Sequence, residues 1–232
     1  MKDLFGRAIL DYQTGNNPQD LITETSISDS DEMSVAYLFR NFNEMPKIEQ
    51  KALALSKGKI LDVGCGAGSH SLYLQEKGFD VTSIDISPNA IKACELRGLK
   101  KVKVHDMMLL DDEKFDTILL LMNGAGIFRK LTQISTYLQK IKSLLNHGGQ
   151  ILIDSSDLIY MYDKDKDGAY EVPAHTYYGE LTFSIQYKGE VEKTFDWLYI
   201  DFNTLQNAAT ANGLHCELVL EGKHFDYLAK LS

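Results

Sequence analysis

The pattern of apolar and polar positions changes character at Lys59. From there on, short apolar runs typical of buried strands alternate with segments of helical period. The strand-like runs are Lys59–Val63, Asp80–Asp85, Lys101–His105, Phe115–Leu121 and Gln150–Asp154. The helix-like runs between them are Ser69–Lys77, Pro88–Arg97 and Leu131–Leu145. This alternation predicts an α/β fold of βαβ units, doubly wound around a mostly parallel sheet with helices on both faces.

The segment before Lys59 has a different pattern, in which apolar residues recur at helical spacing. Residues 4–9 form one such stripe, Val35, Leu38, Phe39 and Phe42 form a second, and residues 47–56 are helix-like as well. No strand signal precedes Lys59. We therefore predict an N-terminal helical cap over residues 1–57.

The alternation stops again after Asp154. Residues 155–200 are loop-like and rich in tyrosine, and then predict a β-hairpin from Leu181–Tyr187 and Phe195–Ile200. A helix (Thr204–Ala211) and two strands (His215–Leu220 and Asp226–Leu231) complete the chain. The predicted organisation is one core domain, residues 58–154 and 201–232, with the cap and an inserted flap at 155–200.

Composition narrows the classes of partner and compartment. The formal net charge is −9 and no basic run is present, which argues against a nucleic-acid substrate. The three cysteines form no CxxC pair, so neither a zinc site nor a disulfide framework is indicated. No apolar stretch reaches the roughly 18 residues of a membrane span, and the N-terminus lacks a signal-peptide core. We expect a cytoplasmic protein with no membrane or nucleic-acid partner.

The strongest chemical signal is a glycine-rich turn that links the first core strand to its helix. Asp62 ends the strand, and Gly64, Gly66 and Gly68 follow around Cys65. Glycines at such a turn let the backbone approach a ligand that lies across the strand ends, and the helix N-terminus offers free N–H groups. A dinucleotide fingerprint would need a third glycine where Ser69 stands. The GxGxG spacing instead resembles motif I of class I S-adenosylmethionine (SAM)-dependent methyltransferases. This resemblance implies that the cofactor-binding residues of the turn are Asp62, Gly64, Cys65, Gly66 and Gly68.

This resemblance implies SAM as cofactor and the strand order 3-2-1-4-5-7-6, with an antiparallel last strand and a β-hairpin insertion after strand 5. Asp85 ends the second core strand, where a carboxylate can accept hydrogen bonds from both ribose hydroxyls. The alternative is that Asp85 only caps the next helix, a task that Ser87 can perform alone. Ile86 is expected to pack on the adenine face.

The resemblance also assigns roles to residues after the third and fourth core strands. Asp106 would accept from the adenine amino group, and the backbone of Met107 would contact the ring. Asn123 and Gly124 would lie beside the methyl donor. Arg40 is expected to pair with the methionyl carboxylate, with a plain surface arginine as the alternative.

The acceptor site is expected under the cap and the flap, and the acceptor is expected to be a small molecule with an O, N or C nucleophile. His175 and Tyr178 are the candidate catalytic residues, Tyr160 and Tyr177 are candidate pocket residues, and His70 is expected to pack or lie on the surface. Three alternatives stay open: a catalytically silent module that binds SAM or S-adenosylhomocysteine (SAH), a protein methyltransferase, and a nucleotide-dependent oxidoreductase. The oxidoreductase predicts a glycine at position 69 and a separate catalytic domain, and the sequence has neither.

An acidic turn resembles the first half of an EF-hand calcium loop. It contains Asp163, Asp165, Asp167 and Gly168, but Ala174 stands where the loop requires a bidentate glutamate. We interpret it as a solvated turn and predict no metal site.

Overall fold

Twelve strands and six α-helices make up the regular structure of the computed structural model, which describes residues 2–111 and 113–232. In chain order the strands are β1 (Leu21–Thr25), β2 (Ser28–Met33), β3 (Lys59–Val63), β4 (Asp80–Asp85), β5 (Val102–Val104), β6 (Phe115–Leu120), β7 (Leu145–Ser156), β8 (Glu180–Tyr187), β9 (Glu190–Val191), β10 (Phe195–Leu198), β11 (Cys216–Glu221) and β12 (Asp226–Leu231). The α-helices are α1 (Leu4–Thr14), α2 (Lys47–Leu55), α3 (Ser69–Glu76), α4 (Pro88–Leu96), α5 (Ile134–Ser143) and α6 (Phe202–Ala211).

Seven of these strands form the core sheet, in the order β5-β4-β3-β6-β7-β12-β11. The strands β3 to β7 pair in parallel, and β12 is antiparallel to both of its neighbours. The predicted fold class and the order 3-2-1-4-5-7-6 are therefore confirmed. The last strand, β12, is antiparallel as predicted and lies between β7 and β11.

The core sheet buries apolar side chains on both faces, as a parallel sheet must. Leu61, Ile118 and Ile151 point into one cluster with α5 and α6, and the alternate positions Ile60, Leu119 and Leu152 point into the other, with α2 and α3. Since successive residues of a strand face opposite sides, the polar residues two positions after Ile60 and Leu152 belong to the α2 side. These are Asp62 and Asp154.

The N-terminal segment contains two strands where the sequence analysis predicted only helices. β1 and β2 form a hairpin, and β1 also pairs with β8 of the predicted flap. Together with β9 and β10 they build a second sheet, in the order β10-β8-β1-β2. The prediction missed them because β2 is an exposed polar edge strand and because β1 is stabilised by pairing with a segment about 160 positions away, neither of which produces local alternation. The division into cap, core and flap itself stays a prediction.

The apolar stripe from Val35 to Phe42 is also not one helix. It forms two short 3₁₀ turns, Val35–Phe39 and Phe42–Glu44, and the chain is extended between them at Arg40. The side chain of Asn41 accepts from the backbone N–H of Asn43 and starts the second turn.

Two further features bear on the sequence analysis, namely the insertion after strand 5 and the length and polarity of the helices. The hairpin predicted after strand 5 is confirmed, because β8 pairs with both β9 and β10. Within the described residues, no helix has the length and apolar character needed to cross a membrane.

Candidate functional site

The glycine-rich turn after β3 leaves open space at two of its three glycines. All three have a positive φ, which only glycine adopts freely: +70° at Gly64, +52° at Gly66 and +80° at Gly68. A Cβ built on Gly64 or Gly66 would meet nothing closer than 3.4 Å and 4.0 Å, respectively. At Gly68 it would come within 2.6 Å of Leu99, so this third glycine serves the packing of the helix layer.

Asp85 is held at the end of β4 by two backbone donors. Its Oδ2 accepts from Gly66 N at 3.0 Å, and its Oδ1 accepts from Ser87 N at 2.9 Å. Each carboxylate oxygen can accept a second bond, so the half-buried side chain keeps acceptor capacity for a diol. Ser87 Oγ accepts from Ala90 N at 2.9 Å and caps α4, the task predicted for it. Burial raises the pKa of Asp85, against the lowering effect of the bonds from Ser87 and Gly66.

Asp62, which was predicted to bind the cofactor, is buried on the α2 side of the sheet and is bonded within the protein. Its Oδ2 accepts from Ser71 Oγ at 2.6 Å, and Ser83 Oγ donates to Ser71 Oγ at 2.7 Å. The side chain is 2% exposed, and burial raises its pKa. In this arrangement Asp62 fixes α3 to β3 and β4.

The remaining residues predicted for the nucleoside lie at the ends of β4 and β5. Ile86 is 54% exposed, which leaves an apolar surface free at this edge, whereas Met107 is buried in the core and offers only its backbone. The Oδ1 of Asp106 accepts from Met108 N at 2.8 Å and starts a 3₁₀ turn, with Oδ2 still available. Cys65 is buried, and its Sγ lies 3.9 Å from that of Cys94, a proximity that the spacing of the cysteines did not predict.

The turn after β6 holds two consecutive residues in a left-handed conformation. Met122 has a φ of +65° and Asn123 a φ of +56°, both uncommon for residues with side chains. Asp154, at the end of the neighbouring strand β7, accepts from Met122 N at 3.1 Å and from Gly124 N at 2.9 Å. Backbone strain of this kind persists only where surrounding contacts fix it, and it concentrates at functional sites.

The side chain of Asn123 is engaged within the protein. Its Nδ2 donates to Leu198 O at 3.2 Å and its Oδ1 accepts from Ser155 Oγ at 2.8 Å. The amide therefore ties β10 to the end of β7, and the adjoining backbone at Gly124 is bonded to Asp154.

Arg40 is buried, so the alternative of a surface arginine is wrong. The guanidinium forms a salt bridge with Glu49 of α2, donates to the carbonyl of Tyr37, and lies 3.9 Å from the centroid of the Tyr37 ring. Glu49 also contacts His70 of α3, with 2.6 Å between Oε2 and Nε2. Among the described residues, Arg40 Nε is the one buried side-chain nitrogen or oxygen without a hydrogen-bond partner.

The charges of this network shift the pKa values of Glu49 and His70. Burial alone raises the pKa of Glu49, but His70 and Arg40 hold it below its usual range. Burial alone lowers the pKa of His70, but the hydrogen bond with Glu49 and the charge of Asp62 raise it. His70 is thus a buried partner of Glu49 and links the helix after the glycine turn to the N-terminal segment.

The two candidate catalytic residues lie on the loop before β8. His175 is exposed there, while the hydroxyl of Tyr178 donates to Asp157 Oδ1 at 2.8 Å. Burial raises the pKa of Tyr178 above the usual value of a tyrosine, and the hydrogen bond to Asp157 raises it as well. Of the candidate pocket residues, Tyr177 donates to Asp201 at 2.6 Å, and Tyr160 stacks on Phe225 at the surface. The acidic turn is closed by Asp165, which accepts from the backbone N–H groups of Asp167 and Ala169.

A cavity of about 260 Å³ opens at the carboxyl ends of β6 and β7, and the sequence analysis did not identify the residues that line it. They are Tyr37, Pro46, Ile48, Glu49, Met122, Asp154 and Asp226. The sequence analysis gave Asp154 as the last residue of a predicted strand and assigned it no role. Its position at the end of the strand after the one that leads to Asn123 could have indicated a site residue. Burial raises the pKa of Asp154 to about 6, against the lowering effect of the backbone bonds from the turn after β6.

The residues present fit an adenosyl ligand. Backbone space is open over Gly64 and Gly66, and the carboxylate of Asp85 lies one hydrogen bond away from Gly66. The chain thus carries a turn that admits a ligand and, beside it, an acceptor for its hydroxyls.

Comparisons with known proteins point to one family. A family model described as a methyltransferase domain matches residues 55–207. Among solved structures, a SAM-dependent methyltransferase from Bacteroides fragilis, in complex with SAH, is 45% identical to this chain with a TM-score of 0.92. The alignment covers 100% of this chain and 94% of that chain.

Curated relatives match shorter segments of this chain, and their names differ in the atom that is methylated, oxygen or nitrogen. The ubiquinone biosynthesis O-methyltransferase of Xylella fastidiosa (strain 9a5c) is 46% identical over 50 residues, which is 22% of this chain and 20% of that protein. The glycine/sarcosine N-methyltransferase of Parasynechococcus marenigrum (strain WH8102) is 28% identical over 121 residues, 47% of this chain and 40% of that protein. In both cases the chain spans less than half the length of the curated relative.

Proposed function

Because the chain belongs to the class I SAM-dependent methyltransferases, we propose that it transfers a methyl group to an O, N or C nucleophile of a small molecule. Membership rests on the family model over residues 55–207 and on 45% identity along the whole chain to the Bacteroides fragilis protein. The resemblance found in the glycine-rich turn is thereby confirmed, and with it the enzyme class and SAM as cofactor.

The observation that carries the small-molecule proposal is the size and position of the cavity beside Met122 and Asp154. Its volume of about 260 Å³ lies just below the range of drug-sized ligand sites, so it suits a small acceptor or a single functional group. Ligands of open α/β sheets bind at the carboxyl ends of the strands, which is where this cavity opens.

The residues proposed to hold SAM follow the ends of the neighbouring strands β5, β4, β3 and β6. Asp85 would accept from the ribose hydroxyls, Ile86 would pack on the adenine, and Asp106 would accept from its amino group. The backbone of the glycine turn, of Met107 and of Gly124 would approach the ligand. When bound, SAM supplies an electrophilic methyl group on a sulfonium, and the chain supplies position.

Arg40 stays the proposed partner of the methionyl carboxylate, and its surroundings support that role. Its guanidinium contacts Tyr37 and Glu49, which both line the cavity, and its Nε has a free N–H. A buried donor without a partner costs free energy, which a ligand oxygen would recover.

His175 and Tyr178 stay proposals for acid–base catalysis, and Asp154 joins them. Neither His175 nor Tyr178 lines the cavity, whereas Asp154 does. A carboxylate with a pKa near the working pH is a suitable proton acceptor.

The test is a methyl-transfer screen with SAM labelled at the methyl group. Small amines, alcohols, phenols and carbon acids would be offered separately, with a cell protein extract and total RNA as macromolecular acceptors. We expect label in at least one small-molecule class, and no label above background in protein or RNA.

The remaining candidates give different results in the same screen. A protein methyltransferase would label the extract and none of the small molecules. A catalytically silent module would bind SAH in calorimetry and label nothing. Either result would overturn the small-molecule proposal while leaving family membership intact.

A further inference from the structure

The cavity beside β6 and β7 has an unbalanced charge. Three of its seven lining residues are carboxylates, namely Glu49, Asp154 and Asp226, and none of the lining residues is a lysine, arginine or histidine. Glu49 is buried and Asp154 and Asp226 are half-buried at this cavity, so solvent screens their charges less than those of exposed side chains.

The negative charge of Glu49 is already compensated by two basic side chains of the protein. It contacts Arg40 on one oxygen and His70 on the other, and all three side chains are buried. The charge that faces the cavity without a partner therefore comes from the two aspartates.

Asp154 has backbone donors as its hydrogen-bond partners in the described part of the chain, and the charge of His70 acts on it without contact. Its two oxygens accept from Met122 N and Gly124 N, and no cationic side chain of the described residues lies within 4.0 Å of it. Asp226 accepts from His224 N at 3.0 Å and likewise has no salt bridge in the described part of the chain. Burial raises the pKa of Asp154 because its anion loses hydration, and a bound cation would favour that anion.

The position of Asp154 places it on the acceptor side of the methyl donor. In the core sheet the strands β4, β3, β6 and β7 are consecutive neighbours, and they end at Asp85, the glycine turn, Met122 and Asp154. At about 4.8 Å between neighbouring strands, Asp154 lies roughly 14 Å along the sheet from the ribose residue Asp85. The cavity thus opens at the far end of a site that begins with the nucleoside.

We propose that Asp154 and Asp226 select a small cationic amine as the methyl acceptor, which makes the protein an N-methyltransferase. The inference rests on the proposed function and specifies its substrate class. An anionic acceptor is repelled by both carboxylates, and a neutral alcohol leaves them uncompensated. Among small O, N and C nucleophiles, an amine in its ammonium form carries the positive charge that compensates such a pair.

Asp154 also suits the chemistry that an amine requires. An ammonium has no free electron pair, so it must lose a proton before it can act as a nucleophile. Transfer of that proton to an Asp154 oxygen breaks an N–H bond, forms an O–H bond and leaves the electron pair on nitrogen. The proton then resides on a carboxyl group that still faces the cavity.

The first experiment compares probes that differ only in charge. n-Butylamine, n-butanol and n-butyrate would be titrated into the protein saturated with SAH, and binding would be followed by ligand-observed NMR. We expect the amine to bind at least about tenfold more tightly than the alcohol, with no binding of butyrate. Equal binding of amine and alcohol would overturn the amine proposal. Failure of the wild-type protein to bind SAH at all would instead overturn the proposed function.

Variants separate acceptor recognition from cofactor binding. Asp226→Asn should weaken butylamine about tenfold and leave SAH affinity within a factor of two. Asp29→Asn, which removes the same charge from the exposed strand β2, is the matched control and should change neither. If Asp226→Asn weakened SAH as much as the amine, the carboxylates would serve the methionyl ammonium of SAM and the proposal would fail.

The pH dependence tests Asp154 without requiring a stable variant. The titratable groups that act on it or share its cavity are Tyr37, Glu49, His70, Tyr199, Asp226 and Tyr227. Amine affinity of the wild type should fall as the pH is lowered through about 6, because protonated Asp154 no longer attracts an ammonium. Asp154→Asn, if it folds by circular dichroism, should bind the amine weakly at every pH. An unchanged pH dependence in that variant would assign the titration to His70 and overturn the role of Asp154.

Discussion

The salt-bridge network of Arg40, Glu49 and His70 gives the sharpest prediction about stability. Glu49 is 4% exposed and, among the described residues, is the one carboxylate within 4.0 Å of the buried bases Arg40 and His70. Glu49→Gln keeps the volume of the side chain but removes its charge, which leaves a buried guanidinium without a counter-ion. Breaking a buried ion pair from one side costs about 3–5 kcal/mol. We expect the variant to lose about that much free energy of unfolding.

The matched control is an exposed pair on α4. Lys92 and Glu95 lie 3.0 Å apart, with side chains 59% and 48% exposed. Glu95→Gln should cost at most about 1 kcal/mol, because solvent screens such pairs. Urea unfolding followed by far-ultraviolet circular dichroism measures both variants on one scale.

The pH dependence of this difference has a defined sign. The pKa of His70 is raised above its unfolded value of 6.5, so its contribution is fully present below that pH and is lost as the pH rises through the folded value. The pKa of Glu49 is lowered below 4.5, so its contribution is present above that pH and is lost on acidification. The stability gap between wild type and Glu49→Gln should therefore be widest between pH 4.5 and 6.5. A gap below about 1 kcal/mol throughout that window would refute the reasoning, since it would give the buried network no more weight than an exposed pair.

Two further predictions concern glycines near the site. Gly64→Ala and Gly148→Ala both place a side chain at a positive φ, +70° and +74°, and each should cost about 1–2 kcal/mol in urea unfolding. Only Gly64→Ala should also weaken SAH in calorimetry, because Gly148 lies in open surroundings away from the turn, and equal SAH affinity in both variants would contradict a ligand over Gly64. Gly126→Ala would place a Cβ 1.9 Å from the ring of Trp197, so it should cost about 1–3 kcal/mol and change the fluorescence of the only tryptophan. An unchanged emission spectrum would mean that the ring does not pack on this glycine.

The parallel core was predictable because each of its elements carries a local signal. β3, β4 and β6 are short apolar runs, and glycine turns follow the helices between them. The role of Ser87 as a helix cap was equally predictable from local sequence. A serine just before a helix accepts a hydrogen bond from the backbone N–H three residues later, here that of Ala90.

The second sheet and the cavity were not predictable in this way, since both depend on contacts between distant segments. β2 consists largely of polar residues and is a strand only because β1 pairs with it and β8 pairs with β1. The burial of Arg40 was not predictable, because it depends on a network with Glu49 of α2 and His70 of α3. Asp154 ends an ordinary strand in the sequence, and its importance comes from the turn at Met122 that it stabilises.

The measurement that tests the account most directly is a calorimetric titration with SAH of the wild type, Asp85→Ala and the control Asp29→Ala. Loss of two hydrogen bonds to a charged group, at about 1.5–3 kcal/mol each, should weaken binding at least about a hundredfold in Asp85→Ala. The control, whose side chain lies on an exposed strand of the second sheet, should match the wild type. If Asp85→Ala, shown to be folded, bound SAH as tightly as the wild type, the cofactor would not lie across the ends of β3 and β4, and the proposed site would be wrong.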